Sequence, residues 1–172
     1  NDVLLIDFDR DSDLGLVSAV SGLDRVEVLR NDSTPGNLVF TQLASVPVGD
    51  APVRLAMGDL NGDLKPDVVV SNVGTNATTG RHVSVLIGDD AGGFVESKVG
   101  LGLTPRVRAH GIALGLLNAD AHLDLIVTDY DNSARIVVWL GNGDGTFGAP
   151  AYYDFLTNAE PVDLALADID QN

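Results

Sequence analysis

The sequence lacks cysteine, and its 10 Lys and Arg are outnumbered by 25 Asp and Glu, which gives a formal charge of −15. Without cysteine, disulfides, thiolate catalysis and cysteine-ligated zinc are excluded. The shortage of basic residues argues against binding to nucleic acid, whose phosphates need clustered Lys and Arg, and against docking on anionic lipid. No apolar run approaches the ~20 residues of a membrane-spanning helix. We therefore expect no nucleic-acid partner and no membrane insertion.

The acidic surplus has two interpretations. It is either a soluble acidic surface or a set of carboxylates partly neutralised by bound cations. Hydrophobic residues make up 45% of the chain, which is typical of a folded protein with a core. The chain starts at Asn1-Asp2 with no initiator Met and no visible signal peptide, so we expect a mature or trimmed product.

An internal repeat accounts for the spacing of the acidic residues. A short apolar segment runs into an Asp- and Asn-rich loop four times, and the first loop positions are Asp7, Asp59, Leu116 and Asp168, at intervals of 52, 57 and 52 residues. Each of the first three units carries four apolar, β-branched segments bounded by Gly, Asn and Asp, which predict strands. These lie at 3–7, 15–20, 25–30 and 37–43; at 53–58, 67–72, 82–87 and 94–99; and at 111–116, 124–129, 135–140 and 147–153.

Four strands per unit at a repeat of ~50 residues predict an all-β fold, a β-propeller of four-stranded blades. The chain would hold three blades and one extra strand at 162–167. A β-sandwich is the alternative, but a sandwich has no reason to repeat its loops in register.

Two segments resemble a known family. The run from Val137 to Pro150, VVWLGNGDGTFGAP, resembles the FG-GAP/VCBS repeat of integrin α-like propellers, and Phe147-Gly-Ala-Pro150 is the motif for which the family is named. The run from Met57 to Val70, MGDLNGDLKPDVVV, is similar to the family's calcium loop and the strand after it. The resemblance implies a propeller that holds Ca²⁺ in its blade loops and is used for binding rather than catalysis.

The repeat divides the chain into blade units at 1–51, 52–108 and 109–160, and residues 161–172 would begin a fourth unit. Propellers close with about 4–8 blades, so three open blades leave unpaired surfaces. We expect either a fragment of a larger propeller or a half that pairs with a second copy. Additional blades or self-association would then complete the ring, and the end within a loop motif favours the fragment.

The second loop is the most complete candidate metal site. Oxygen-bearing residues alternate along it at Asp59, Asn61 and Asp63, Lys65 could offer its backbone carbonyl, and Asp67 would close the shell. Calcium prefers six to eight oxygen ligands, and three carboxylates around one point repel one another without a cation. The family usually has Gly at the sixth position, where this chain has Leu64, so the loop should carry backbone strain there.

The other loops are less complete. The first has carboxylates at Asp7, Asp9, Asp11 and Asp13 but has Gly15 at the closing position. The third has Leu116 at position 1, followed by Asn118, Asp120, His122 and Asp124, so a polar hairpin is a better interpretation than a metal site. The fourth is a truncated site at Asp168, Asp170 and Asn172. Asn142 and Asp144 are expected to form a turn rather than to bind metal.

No motif for a serine nucleophile, a zinc protease or a phosphate loop occurs, so we do not expect an enzyme. Trp139 is expected to be buried between blades rather than to stack on a ligand. The resulting hypothesis is an extracellular, calcium-binding propeller that recognises a protein or a carbohydrate. A structural or accessory propeller of a larger secreted enzyme, or a lectin, is the alternative.

Overall fold

The structure is a computed structural model that describes residues 2–75, 82–89, 91–97, 108–129, 135–155 and 160–167. Its strands form three antiparallel four-stranded sheets, each connected in simple chain order. The first sheet contains β1 (Val3–Ile6), β2 (Gly15–Val20), β3 (Arg25–Asn31) and β4 (Phe40–Pro47). The second contains β5 (Pro52–Gly58), β6 (Asp67–Asn72), β7 (His82–Gly88) and β8 (Phe94–Ser97). The third contains β9 (Ala109–Gly115), β10 (Asp124–Asp129), β11 (Arg135–Trp139) and β12 (Ala151–Asp154).

The three sheets are successive blades of a partial β-propeller, as the repeat predicted. One short 3-10 turn, Ser21–Leu23, joins β2 to β3. Among the described residues, no helix has the length and apolar character needed to cross a membrane.

The hydrophobic core lies between blades. Along β6 the side chains alternate between two clusters, because Val68 and Val70 face the first blade and Val69 faces the third. All six residues of β6 are buried, whereas in β2 buried and half-buried residues alternate. The second blade has a neighbouring blade on each face, and all six residues of β10 in the third blade are buried as well.

Two fourth strands lie later in the sequence than predicted. The strand expected at 37–43 is β4, which begins at Phe40, because Thr34 and Asn37 first exchange backbone hydrogen bonds around Gly36. The strand expected at 147–153 is β12, which begins only at Ala151. Phe147 instead forms an isolated bridge with Gly141, so the Phe-Gly-Ala-Pro motif serves as the connection rather than as the strand.

The segment predicted as an extra strand, residues 162–167, lies beside β9 but does not join any of the three sheets. The Val162 carbonyl oxygen is 2.7 Å from His110 Nδ1, and a Cβ on Gly111 would come within 3.0 Å of the Asp163 Cα. This segment therefore packs against β9 of the third blade, and Asp163 Oδ2 also lies 3.9 Å from Arg54 Nη2 on β5 of the second blade.

Trp139 tests the packing between the second and third blades. It is 1% exposed within the cluster that these blades share, as expected from the sequence. We predict that Trp139→Ala lowers the free energy of unfolding by about 3–5 kcal/mol, because the cavity cannot refill. Urea denaturation followed by far-UV circular dichroism measures this.

The matched control is Tyr153→Ala, since the Tyr153 side chain is 58% exposed. It should change the free energy of unfolding by about 0.5 kcal/mol or less. Equal effects of the two substitutions would contradict the placement of Trp139 in the shared core.

Candidate metal-binding loops

The second loop, from Asp59 to Asp67, is organised around its first carboxylate. Asp59 Oδ1 accepts the amide of Gly62 and Oδ2 accepts the amide of Leu64, both at 2.8 Å. Gly62 and Leu64 take positive φ angles of +77° and +65°. The strain predicted at Leu64 is therefore present, and its side chain is 80% exposed. The carboxylate draws both amides inward, which requires the left-handed backbone at these two positions.

The next two acidic or amide side chains shape the same turn. Asn61 Oδ1 accepts the amide of Asp63 at 3.1 Å, and Asp63 Oδ1 accepts the amide of Lys65 at 2.9 Å. The backbone hydrogen bond from Lys65 holds the pKa of Asp63 below its usual range. Lys65 Nζ lies 3.5 Å from Asp63 Oδ2, so it partly neutralises that carboxylate.

Asp67, expected to close the metal shell, is fully buried and contacts two backbone amides. Its Oδ2 accepts the amide of Leu60 at 2.8 Å, and its Oδ1 accepts the amide of Gly88 at 2.9 Å. Burial raises the pKa of Asp67, the two amides oppose that rise, and the nearby Asp63 and Asp59 add to it. Asp67 is therefore near the other carboxylates, but both of its oxygens already have partners.

The first loop brings its carboxylates closest together. Asp7, Asp9 and Asp11 each place one oxygen within 4.8 Å of the others. Asp7 Oδ1 is buried and has no hydrogen-bond partner, while Asp7 Oδ2 accepts the amide of Ser12 at 3.2 Å. Within the described ranges, no second group of three carboxylates is this compact. In the sequence this loop is less complete than the second, because Gly15 stands at its closing position.

Asp13 lies outside that group. It is exposed, and its amide donates to Asp11 Oδ1 at 2.8 Å. Arg10 and Ser12 take positive φ angles of +58° and +76°, so positions 4 and 6 have the same backbone as in the second loop. The Arg10 side chain crosses to the second loop, where Nη2 donates to the Leu64 carbonyl at 2.7 Å.

The third loop keeps only part of this arrangement. Asn118 Oδ1 accepts the amide of Asp120 at 3.1 Å, and Asp120 Oδ1 accepts the amide of His122 at 2.9 Å. Position 1 is Leu116, and neither Ala119 nor Ala121 is among the described residues with positive φ. Asp124 is buried, like Asp67. The predicted fourth site, at Asp168, Asp170 and Asn172, lies outside the described residues.

Each of the first two loops is braced by a hairpin of the next blade. The amide of Gly145, between β11 and β12, donates to the Leu60 carbonyl at 2.9 Å. In the second blade, Gly92 lies between β7 and β8, and a Cβ on it would come within 2.6 Å of the Phe8 ring in the first loop. Asp144 Oδ1 accepts both the amide and the hydroxyl of Thr146, which confirms Asp144 as a turn former.

A cleft of about 390 Å³ separates the first and second loops. Apolar side chains that are about half exposed or more line it, namely Leu5, Leu14, Met57 and Leu64. Asp7 and Asp59 lie along its acidic side, and Arg10 and Lys65 add positive charge. The cleft was not predicted from the sequence, although Leu5 and Met57 occupy the same position of the repeat, two residues before each loop.

The chain matches a known protein family. A family model described as FG-GAP-like repeat matches residues 7–70 and 117–172, which is more than half of the chain. The two matched stretches begin at or next to the first position of a loop, at Asp7 and Leu117. No curated protein matches this sequence.

The strain at Leu64 gives a direct test of the loop geometry. We predict that Leu64→Gly raises the free energy of unfolding by up to about 1 kcal/mol. Relief of the left-handed conformation contributes about 1–2 kcal/mol, and the greater freedom of glycine in the unfolded chain takes back part of it. Urea denaturation in the presence of a chelator measures the change.

Leu64→Ala is the matched control, because alanine keeps the strained φ and removes only an exposed side chain. It should leave stability within about 0.5 kcal/mol of the parent chain. A stabilisation as large as that of Leu64→Gly would point to the exposed leucine side chain instead of the backbone.

Proposed function

Because this chain belongs to the FG-GAP-like repeat family, we propose that it is a calcium-binding β-propeller module that recognises a protein or carbohydrate ligand. FG-GAP repeat domains are generally non-catalytic modules and usually occur in extracellular or cell-surface proteins. The module is proposed to work outside the cell, where calcium is abundant enough to fill sites of modest affinity.

The arrangement of the first loop carries the calcium proposal. Three carboxylate oxygens within 4.8 Å of one another repel strongly unless a cation lies among them. The buried Asp7 Oδ1 has no hydrogen-bond partner, and an unsatisfied buried oxygen is costly. A hard divalent cation held by oxygen ligands meets both requirements. Asp7, Asp9 and Asp11 would supply the carboxylates of this site.

The second loop would form the other site, with the same backbone at positions 4 and 6. Asp59, Asn61 and Asp63 would offer side-chain oxygens, Lys65 its carbonyl, and Asp67 the lone pairs that its two amide contacts leave free. A carboxylate oxygen has more than one lone pair, so a hydrogen bond to an amide is compatible with binding an ion. We place no ion in the third loop, because it lacks the first carboxylate.

The cleft between the two loops supports a recognition role. Ligand sites are concave and mostly apolar with a few polar groups, and volumes of about 300–1,000 Å³ are typical. Leu5, Met57 and Leu64 would contact the apolar part of a ligand. Because Asp7 and Asp59 also line the cleft, bound calcium would change the charge next to the ligand.

Calcium should stabilise the folded chain. At about 10 mM calcium and a dissociation constant of about 0.1–1 mM, each filled site adds about 1.4–2.7 kcal/mol, which raises Tm by about 3–10 °C. Thermal melts with calcium and with EGTA measure this. Asp7→Asn should remove the contribution of the first loop and Asp59→Asn that of the second, and isothermal titration should fall from two ions per chain to one in each variant.

Asp154→Asn, at the exposed end of β12, removes one carboxylate without touching either loop. It should keep the full calcium response, and magnesium should give a smaller response because it demands near-octahedral geometry. An identical melt in calcium and EGTA would refute the calcium proposal.

Recognition is tested by a glycan array and by surface pull-downs, each performed with calcium and with EGTA. We expect calcium-dependent binding that is weakened at least tenfold by Met57→Asp, which places a charge in the apolar cleft. Tyr153→Asp, on exposed surface away from the cleft, should bind normally. Failure to bind any glycan or protein in calcium would favour a structural or accessory role instead.

A further inference from the structure

Two buried aspartates make the same pair of contacts in consecutive blades. Asp67 joins the amide of Leu60, at the start of its loop, to the amide of Gly88, at the end of β7. Asp124 Oδ2 accepts the amide of Leu117 at 2.8 Å, and its Oδ1 accepts the amide of Gly141, just after β11, at 2.9 Å. Both side chains are 0% exposed. The same two bonds recur in the third blade although its loop lacks the first carboxylate.

The amide at or just after the end of the third strand in each of these two blades belongs to a glycine, Gly88 or Gly141. Glycine is required there because another backbone carbonyl comes very close. A Cβ on Gly88 would lie 2.4 Å from the Pro66 carbonyl oxygen, and a Cβ on Gly141 would lie 2.2 Å from that of Leu123. Pro66 and Leu123 immediately precede the two aspartates. Only glycine lets the strand end come near enough for its amide to reach the carboxylate.

The first blade lacks both partners at once. Gly15 stands where the aspartate would be, and Asn31 stands where the glycine would be. The Phe8 ring fills the space, since a Cβ on Gly15 would lie 2.5 Å from a ring carbon. Within this one chain, the aspartate and the glycine are therefore present together or absent together.

We propose that Asp67–Gly88 and Asp124–Gly141 are clamps that fasten the start of each loop to the end of the third strand of its blade without needing a metal ion. The carboxylate satisfies two amides that leave the strand ladder, and buried amides must find acceptors. Asp67 and Asp124 are thus positioning residues. The role of the Asp67–Gly88 clamp in positioning a calcium loop rests on the proposed function. The Asp124–Gly141 clamp does not depend on it.

The clamp predicts a loss of stability in EGTA. Asp124→Asn should lower Tm by about 5–10 °C, because the asparagine amide group would face a backbone N–H that needs an acceptor. Asp120→Asn is the matched control in the same loop. Asp120 is exposed, its Oδ1 accepts the His122 amide and its Oδ2 accepts Asn118 Nδ2. An asparagine oxygen can accept the turn amide and water can replace the exposed side-chain bond, so Tm should change by about 2 °C or less. Equal melting temperatures for the two variants would overturn the proposal.

Gly141→Ala tests the partner of the carboxylate. It should lower Tm about as much as Asp124→Asn does, and the double variant should be no less stable than the worse single variant, because both break the same contact. Additive losses would show that the two residues act separately. If a variant fails to fold, hydrogen exchange on the parent chain decides. The Leu117 and Gly141 amides should exchange as slowly as those of β10, and the His122 amide much faster, whereas fast exchange at Gly141 would exclude the clamp.

Calcium affinity distinguishes a clamp that positions the calcium loop from one that only stabilises the fold. Gly88 has no side chain to bind an ion, yet Gly88→Ala should weaken the second loop's calcium affinity about tenfold, measured by isothermal titration below the melting range. Gly141→Ala should disturb its own blade equally, and since it reaches the second loop only through the Gly145 amide that donates to the Leu60 carbonyl, it should weaken that affinity clearly less than Gly88→Ala does. Unchanged calcium binding in Gly88→Ala would reject the positioning role. If calcium does not bind the parent chain at all, only the proposed function fails, because the melts in EGTA still decide the clamp.

Discussion

Backbone amides that leave a strand ladder must find acceptors, and in this chain carboxylates provide them. Where each blade turns from its first strand to its second, loop amides bond to aspartate oxygens instead of to another strand. Asp59 alone accepts the amides of Gly62 and Leu64. The third loop, with Leu116 in that place, has no left-handed residue at the corresponding described positions. The carboxylates therefore shape the loop, and the proposed metal site would be a consequence of the same shape.

The fold was predictable where burial is greatest. The second strands at 15–20, 67–72 and 124–129 coincide with the observed β2, β6 and β10, because each is a central strand with a continuous apolar or β-branched run. Two of the three fourth strands, β4 and β12, were misplaced because each follows a turn that the strand pattern does not reveal. In β12 one residue of four is half-buried and the others are exposed. Such a strand carries little hydrophobic pattern, and the preceding turn decides where it begins.

The site was predictable in composition but not in the roles of its residues. Alternate oxygen-bearing positions identified both loops, and the expected strain at Leu64 is present at φ +65°. Spacing could not show that Asp67 faces two amides, because one of them belongs to Gly88, on a strand that ends 21 residues later. Nor could it show that Phe8 fills the place of the missing carboxylate beside Gly15. These roles depend on contacts between distant parts of a blade.

The loops also lie where blades meet, so the proposed ion binding would be physically linked to blade packing. The Gly145 amide of the third blade donates to the Leu60 carbonyl in the second loop, and Leu60 also donates to the Asp67 carboxylate. One residue thus connects the clamp, the loop and the following blade. Leu60 belongs to the core that the second and third blades share. A cation that stiffened this loop would act on the junction between blades, because the braced segment is common to both. Its stabilising effect should therefore extend to the whole array.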